Sequence, residues 1–169
     1  ALQSPWRGLR LVGYNEALAK CWNILTDAGV PPAGEHAWNI QRIELGHPLS
    51  GNELNDEHNP WEAGLNQSVH MNKGCYIGQE VIARLDTYDK IKQHLVGIAC
   101  ETDSLPEAGT VLVAKEKAVG AVTSSIYSPA FGPIALAYVR RGFSVPDTVL
   151  TRADLSLIHI SEPTRPVPI

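Results

Sequence analysis

Apolar positions fall into two regimes along the chain, helical spacing up to about residue 86 and short β-like runs after about residue 92. Leu9 to Val12, ending at Gly13, reads as a short strand. Asn15 can then cap a helix that runs through Ala28 and closes at Gly29, with Leu18, Cys21, Trp22, Leu25 and Ala28 recurring on one face. Pro31-Pro32 ends that segment. A second helix is predicted from about Glu35 to Leu45, with Ala37, Ile40 and Ile43 on one side and Gly46 as its stop. From His47 to Asn66 the chain is rich in Gly, Pro, Asn and acidic residues, a long ordered loop of the kind that is usually functional or wraps a neighbour. A third helix follows Lys73-Gly74-Cys75-Tyr76-Ile77-Gly78-Gln79-Glu80 and extends to about Asp86, with Ile77, Val81, Ile82 and Leu85 as its buried side.

Beyond Lys92 the runs Leu95–Cys100, Thr110–Ala114, Ala118–Thr123 and Ile134–Val139 are short and rich in small and β-branched residues. Pro106, Gly109, Pro129, Gly132 and Pro133 punctuate them. That pattern predicts a small antiparallel barrel or sandwich. The expected fold class is therefore α+β, with a domain boundary near Tyr88 to Gln93: residues 1–89, then a barrel over 90–154.

The last segment reads differently. Leu155 to Arg165 resembles the in-frame translation of a transposon-based sequencing adapter, and such an adapter continues into three arbitrary residues and an isoleucine, matched by Pro166-Val167-Pro168-Ile169. Residues 155–169 are accordingly expected to be a non-native tail outside the fold. The chain starts at Ala1 and its one methionine is Met71, so the expectation is a fragment cut upstream.

Composition narrows the function classes. A hydrophobic fraction of 44% and a charged fraction of 19% are those of a globular protein. A net charge of -4 gives no general attraction to nucleic acid or anionic membrane, and no apolar run approaches membrane-spanning length. Cys21, Cys75 and Cys100 are three well-separated cysteines, which argues against a disulfide framework. Without CxxC or HxxxH spacing a zinc site has poor support, and His36, His47, His58 and His70 read as surface or turn residues.

Chemistry concentrates at Lys73 to Glu80. Gly74 allows a sharp turn, and a helix opening near Ile77 directs free N–H groups toward Cys75, with Lys73 a nearby cation. Both favour a thiolate, although a cysteine at such a junction is more often a buried small residue, and the same geometry can hold an anion. The spacing is not that of a P-loop.

Lys-Gly-Cys-Tyr-x-Gly-Gln-Glu at Lys73 to Glu80 resembles the signature of the YgfZ family. The flanking pieces Arg42 to Pro48, Glu53-Leu54, Pro60 to Leu65, Val119 to Ser124, Ser128-Pro129 and Ile134 to Leu136 resemble the same family and the wider aminomethyltransferase superfamily. The resemblance covers nearly all of Trp6 to Leu150. It implies the second part of an aminomethyltransferase-like folate-binding α+β region followed by a small antiparallel β-barrel, the first subdomain being absent. It further implies a tetrahydrofolate-binding accessory protein for assembly or repair of iron–sulfur enzymes and, through them, tRNA modification, in the bacterial cytoplasm. Partners would be folate and iron–sulfur client or assembly proteins. On that resemblance Cys75 is the functional thiol, with Lys73 and Tyr76 shaping its site. Gln79 and Glu80 cap or orient the helix, Arg84 pairs with an anionic folate group, and Arg42 and Glu44 are weaker folate-site candidates that serve equally well as a helix-surface pair. The alternative is an aminomethyltransferase of the glycine cleavage system, from which Cys75-Tyr76-Ile77-Gly78 departs; a third reading has Cys75 buried and inert in a structural module.

Overall fold

A computed structural model describes residues 11–87, 91–146, 148–152 and 157–161. It divides into two compact units, residues 1–39 and 40–169. In the first, helix α1 (Asn15–Asp27) begins after Tyr14, one residue earlier than an Asn15 cap requires, and ends where Gly29 takes φ +83°. None of its residues is buried. Leu11 and Val12 form no strand, and Leu9-Arg10 lie outside the described residues. Helix α2 (Glu35–Glu44) stops at Gly46, which adopts φ +66° as a left-handed terminator.

The second unit is built on a closed six-stranded barrel: β1 (Gln93–Cys100), β2 (Val111–Ala114), β3 (Lys117–Ser128), β4 (Gly132–Arg140), β5 (Val149–Thr151) and β6 (Leu157–Ser161). The order around the barrel is β1-β4-β3-β2-β5-β6, every pair antiparallel. Ile98, Leu112, Val119, Val122, Val139, Leu150 and Ile158 fill its interior. The turn between β2 and β3 places both Lys115 and Glu116 at positive φ, the two-residue hairpin geometry whose twist matches its strands.

Strand β4 explains why the barrel does not stand alone. Ile134 through Val139 are all buried, which a one-sided barrel strand would not be. Ala135, Ala137 and Val139 point into the barrel, whereas Ile134 and Leu136 pack outward against Ile43 and Ile126. The C-terminal end of α2 thus covers the outer wall of β4, and the Leu95 N–H donates to the Glu62 carbonyl at 2.8 Å. Strand β3 runs close beside β4 at Gly120, where a Cβ would lie 2.3 Å from the Tyr138 carbonyl oxygen; glycine is required for that approach.

The expectation for the tail fails at Leu157–Ser161. These residues form β6, paired with β1 from Gly97 to Cys100 and with β5 from Val149 to Thr151. The alternation of Ile158 and Ile160, both buried, with His159 between them is what a closing strand needs. Leu155, Ser156 and residues 162–169 lie outside the described residues.

Candidate functional site

The structure separates the predicted site residues into two groups. The first surrounds helix α3 (Gln79–Thr87), which opens two residues later than the sequence suggests. Gly74 and Gly78 hold φ +72° and +88°, so the chain turns twice between Lys73 and the helix in a conformation that side chains with a Cβ rarely adopt. Cys75 sits between those turns as a free, exposed thiol. With the helix beginning four residues beyond it, its setting is the turn itself, since a helix dipole acts mainly within its first turn. The Lys73 Nζ lies 4.6 Å from the centre of the Tyr76 ring, a cation–π contact that holds positive charge beside the thiol's neighbours. Gln79 orients the turn, its Oε1 accepting from the Tyr76 N–H at 3.3 Å.

Glu80 does not cap. It pairs one turn along with Arg84 at 2.8 Å, both side chains well exposed, so the guanidinium already has a carboxylate partner. Such a surface pair contributes little to stability. Ile77 is fully exposed and Val81 is 61% exposed, against the expected buried side; only Ile82 and Leu85 are half-buried. Beside them a groove of about 460 Å³ is lined by Pro60, Val69, His70, Lys73, Tyr76 and Ile82 among others.

The second group is a buried polar cluster that the sequence does not show. Arg42, 3% exposed, is no helix-surface residue: its Nη1 donates to Glu53 Oε2 at 3.3 Å and its Nη2 to Ser124 Oγ at 2.9 Å. Glu53 is wholly buried, and its carboxylate also accepts from the Leu49 N–H at 2.9 Å, Thr123 Oγ1 at 2.7 Å and Ser124 Oγ at 2.6 Å. Adjacent strand residues normally face opposite ways. A β-bulge between Val122 and Ser124 lets both hydroxyls reach the same oxygen. Glu44 faces the other end of β3, accepting from Ser128 Oγ at 2.6 Å. Arg42 and Glu44 therefore anchor the α2 end and its loop to the barrel.

Three further residues belong to this cluster without any signal at the level of sequence. Tyr138 Oη donates to the Glu53 carbonyl at 2.9 Å. Burial, then the nearby charges of Glu53 and Glu62, push its phenol up to about 12. His58, read from the sequence as a turn residue, stacks on the Tyr138 ring at 3.6 Å, and Gln93 Nε2 donates to its Nδ1 at 3.0 Å. In the intervening loop Asn59 Oδ1 accepts from the Trp61 and Glu62 N–H groups while Glu62 Oε2 accepts from the Asn59 N–H, a reciprocal cap that fixes Pro60-Trp61-Glu62. Among the described residues no group of three His, Cys, Asp or Glu could hold a metal ion, and no helix is long and apolar enough to cross a membrane.

Residues 93–153 match the family model of the glycine cleavage T-protein C-terminal barrel domain. The aminomethyltransferase of Streptomyces avermitilis is 34% identical over 148 residues, which span 83% of this chain and 40% of that protein. Residues 93–153 thus carry that barrel domain, and most of the chain is similar to aminomethyltransferases. A candidate chloroplastic transferase of Arabidopsis thaliana is 41% identical over 137 residues, 80% of this chain and 31% of its own length. The crystal structure of the glycine cleavage system aminomethyltransferase T from Bartonella henselae superposes with a TM-score of 0.75 at 25% identity, over 89% of this chain and 44% of that one. The chain thus spans less than half the length of these superfamily relatives.

Proposed function

We propose that this chain is part of a tetrahydrofolate-binding accessory protein of the YgfZ type, within the glycine-cleavage T-protein superfamily, which supports assembly or repair of iron–sulfur enzymes and, through them, tRNA modification. The observation that carries this reading is the complete octapeptide Lys73 to Glu80, with Cys75 exposed between two glycine-dependent turns. A side chain kept merely for packing would be buried, as Cys100 is. Burial pushes the Cys100 thiol up, and the Arg152 charge opposes that shift. Cys75 is the functional thiol on this reading, flanked by the Lys73–Tyr76 contact, with Arg84 a candidate for an anionic folate group once Glu80 releases it. The second reading, an aminomethyltransferase, is supported by the superfamily relatives that carry that name.

Complementation separates the two. Cys75→Ser in the full-length protein should abolish rescue of a strain lacking its own YgfZ, with folding intact, because serine is a far poorer nucleophile and soft-metal ligand. Aminomethyl transfer that survives the same change, together with unimpaired rescue, would move the function to the second reading. Iodoacetamide at neutral pH should label Cys75 well before buried Cys100.

A further inference from the structure

A second recess lies over the outer wall of the barrel, about 630 Å³ in volume, between the loop carrying Asn52, Glu57 and His58 and the strand residues Gln93, Tyr138 and Arg140. Its size is that of a small-molecule site, and it shares no lining residue with the groove beside Cys75. The floor is open because Gly120 and Ala121 carry almost no side chain, and Gly120 cannot carry one.

One wall is fixed in advance. Tyr138 has committed its hydroxyl to Glu53 and offers only its ring, on which His58 stacks. A primary amide nitrogen can only donate, so the Gln93 bond makes His58 Nδ1 an acceptor and places the neutral ring's proton on Nε2. That N–H has no hydrogen-bond partner among the described residues. Arg140 stands directly across from Gln93 in the β1–β4 ladder, two residues beyond Tyr138, and makes no ion pair among the described residues. One guanidinium and one imidazole N–H therefore border the same recess with unused donors. The one carboxylate on its wall is Glu57, whose side chain has no hydrogen-bond or ion-pair partner among the described residues.

We propose that this recess binds a small organic monocarboxylate, held by Arg140 and the His58 Nε2–H, with Glu57 setting the limit of one negative charge. A guanidinium and a carboxylate fit in planar geometry, whereas a dianion would meet the Glu57 charge at close quarters. The site is independent of the folate reading, since it uses none of the residues near Cys75.

Acetate is the probe, with inorganic phosphate compared at a pH where it is dianionic. Titration followed by NMR of the His58 ring and the Arg140 guanidinium should show saturable shifts of both with acetate and little response to phosphate. Arg140→Met, at an exposed position, should weaken acetate binding by about tenfold, the worth of one charge-assisted hydrogen bond. Glu57→Gln should tighten acetate and admit phosphate. Shifts that never saturate, that are indifferent to Arg140→Met, or that phosphate matches in the unaltered chain would overturn the proposal.

Discussion

Glu53 offers the sharpest test of how the loop is fixed to the barrel. Its carboxylate is wholly buried and takes four hydrogen bonds, two on each oxygen, from Arg42, Leu49, Thr123 and Ser124. In Glu53→Gln the side chain keeps its shape but loses its charge. One terminal atom becomes an NH₂ group facing former donors. The Thr123 hydroxyl can turn its proton to the Leu136 carbonyl and accept from that group. Ser124 Oγ already accepts from Arg42 and Asn52, and the Arg42 guanidinium cannot accept, so the amide oxygen must turn toward Arg42. What remains is a cation 3% exposed that has lost the Glu53 carboxylate. Removing one partner of a buried pair costs about 3–5 kcal/mol, because the other charge is left uncompensated; with the amide oxygen retained, the expected loss is about 2–3 kcal/mol. Glu53→Ala should reach the full range. Arg42→Met should cost a comparable amount by stranding Glu53. The double variant Arg42→Met, Glu53→Gln should cost clearly less than the sum of the two, since no lone charge remains. Urea unfolding followed by tryptophan fluorescence gives each value, and the ring-current shift of His58 over Tyr138 reports whether the loop still lies on the barrel. A loss below about 0.5 kcal/mol for Glu53→Gln, or strict additivity in the double variant, would refute the view that this pair is the fastening.

Two other outcomes follow from the barrel. Ile158→Ala should destabilise by about 2–5 kcal/mol, as for other core truncations, and removal of residues 157–161 should open the barrel at β1 and β5; an unchanged melting temperature after deletion would restore the sequence-based expectation of an unfolded tail. Tyr138 titrates near pH 10 in the unfolded chain and at about 12 in the folded one. Between those values the unfolded chain gives up a proton that the native state keeps, so the stability present below pH 10 should fall as pH rises toward 12. Tyr138→Phe should flatten that decline, measured by urea unfolding across the alkaline range.

Helical spacing and glycine stops were enough to locate α1, α2 and α3 to within two residues, because those signals are local. The first four strands were found as well, because their β-branched runs and Gly–Pro punctuation stand in the sequence itself, although β3 runs on to Ser128, five residues beyond its predicted end at Thr123. The site was legible only in part. The Gly74 and Gly78 turns around Cys75 are written in adjacent residues, and the thiol's exposure agrees with them. Arg42, by contrast, looks like a surface cation on an amphipathic helix until Glu53 and Ser124, 11 and 82 positions away, are brought to it. Ile77 and Val81 look like a buried face, yet burial depends on a partner surface, and none covers them among the described residues.

The sequence by itself therefore determined the three helices, the first four strands and the turn that presents Cys75, since each rests on neighbours a few residues apart; the strand pattern alone left barrel or sandwich open. Tertiary structure alone decided the rest. It gave β4 two buried faces, let the β-bulge at Thr123 aim two hydroxyls at one carboxylate, and laid His58 on Tyr138. It also drew Leu157–Ser161 into the barrel. A closing strand must only alternate apolar with polar residues and pair its backbone, a demand so permissive that composition cannot say which segment will meet it.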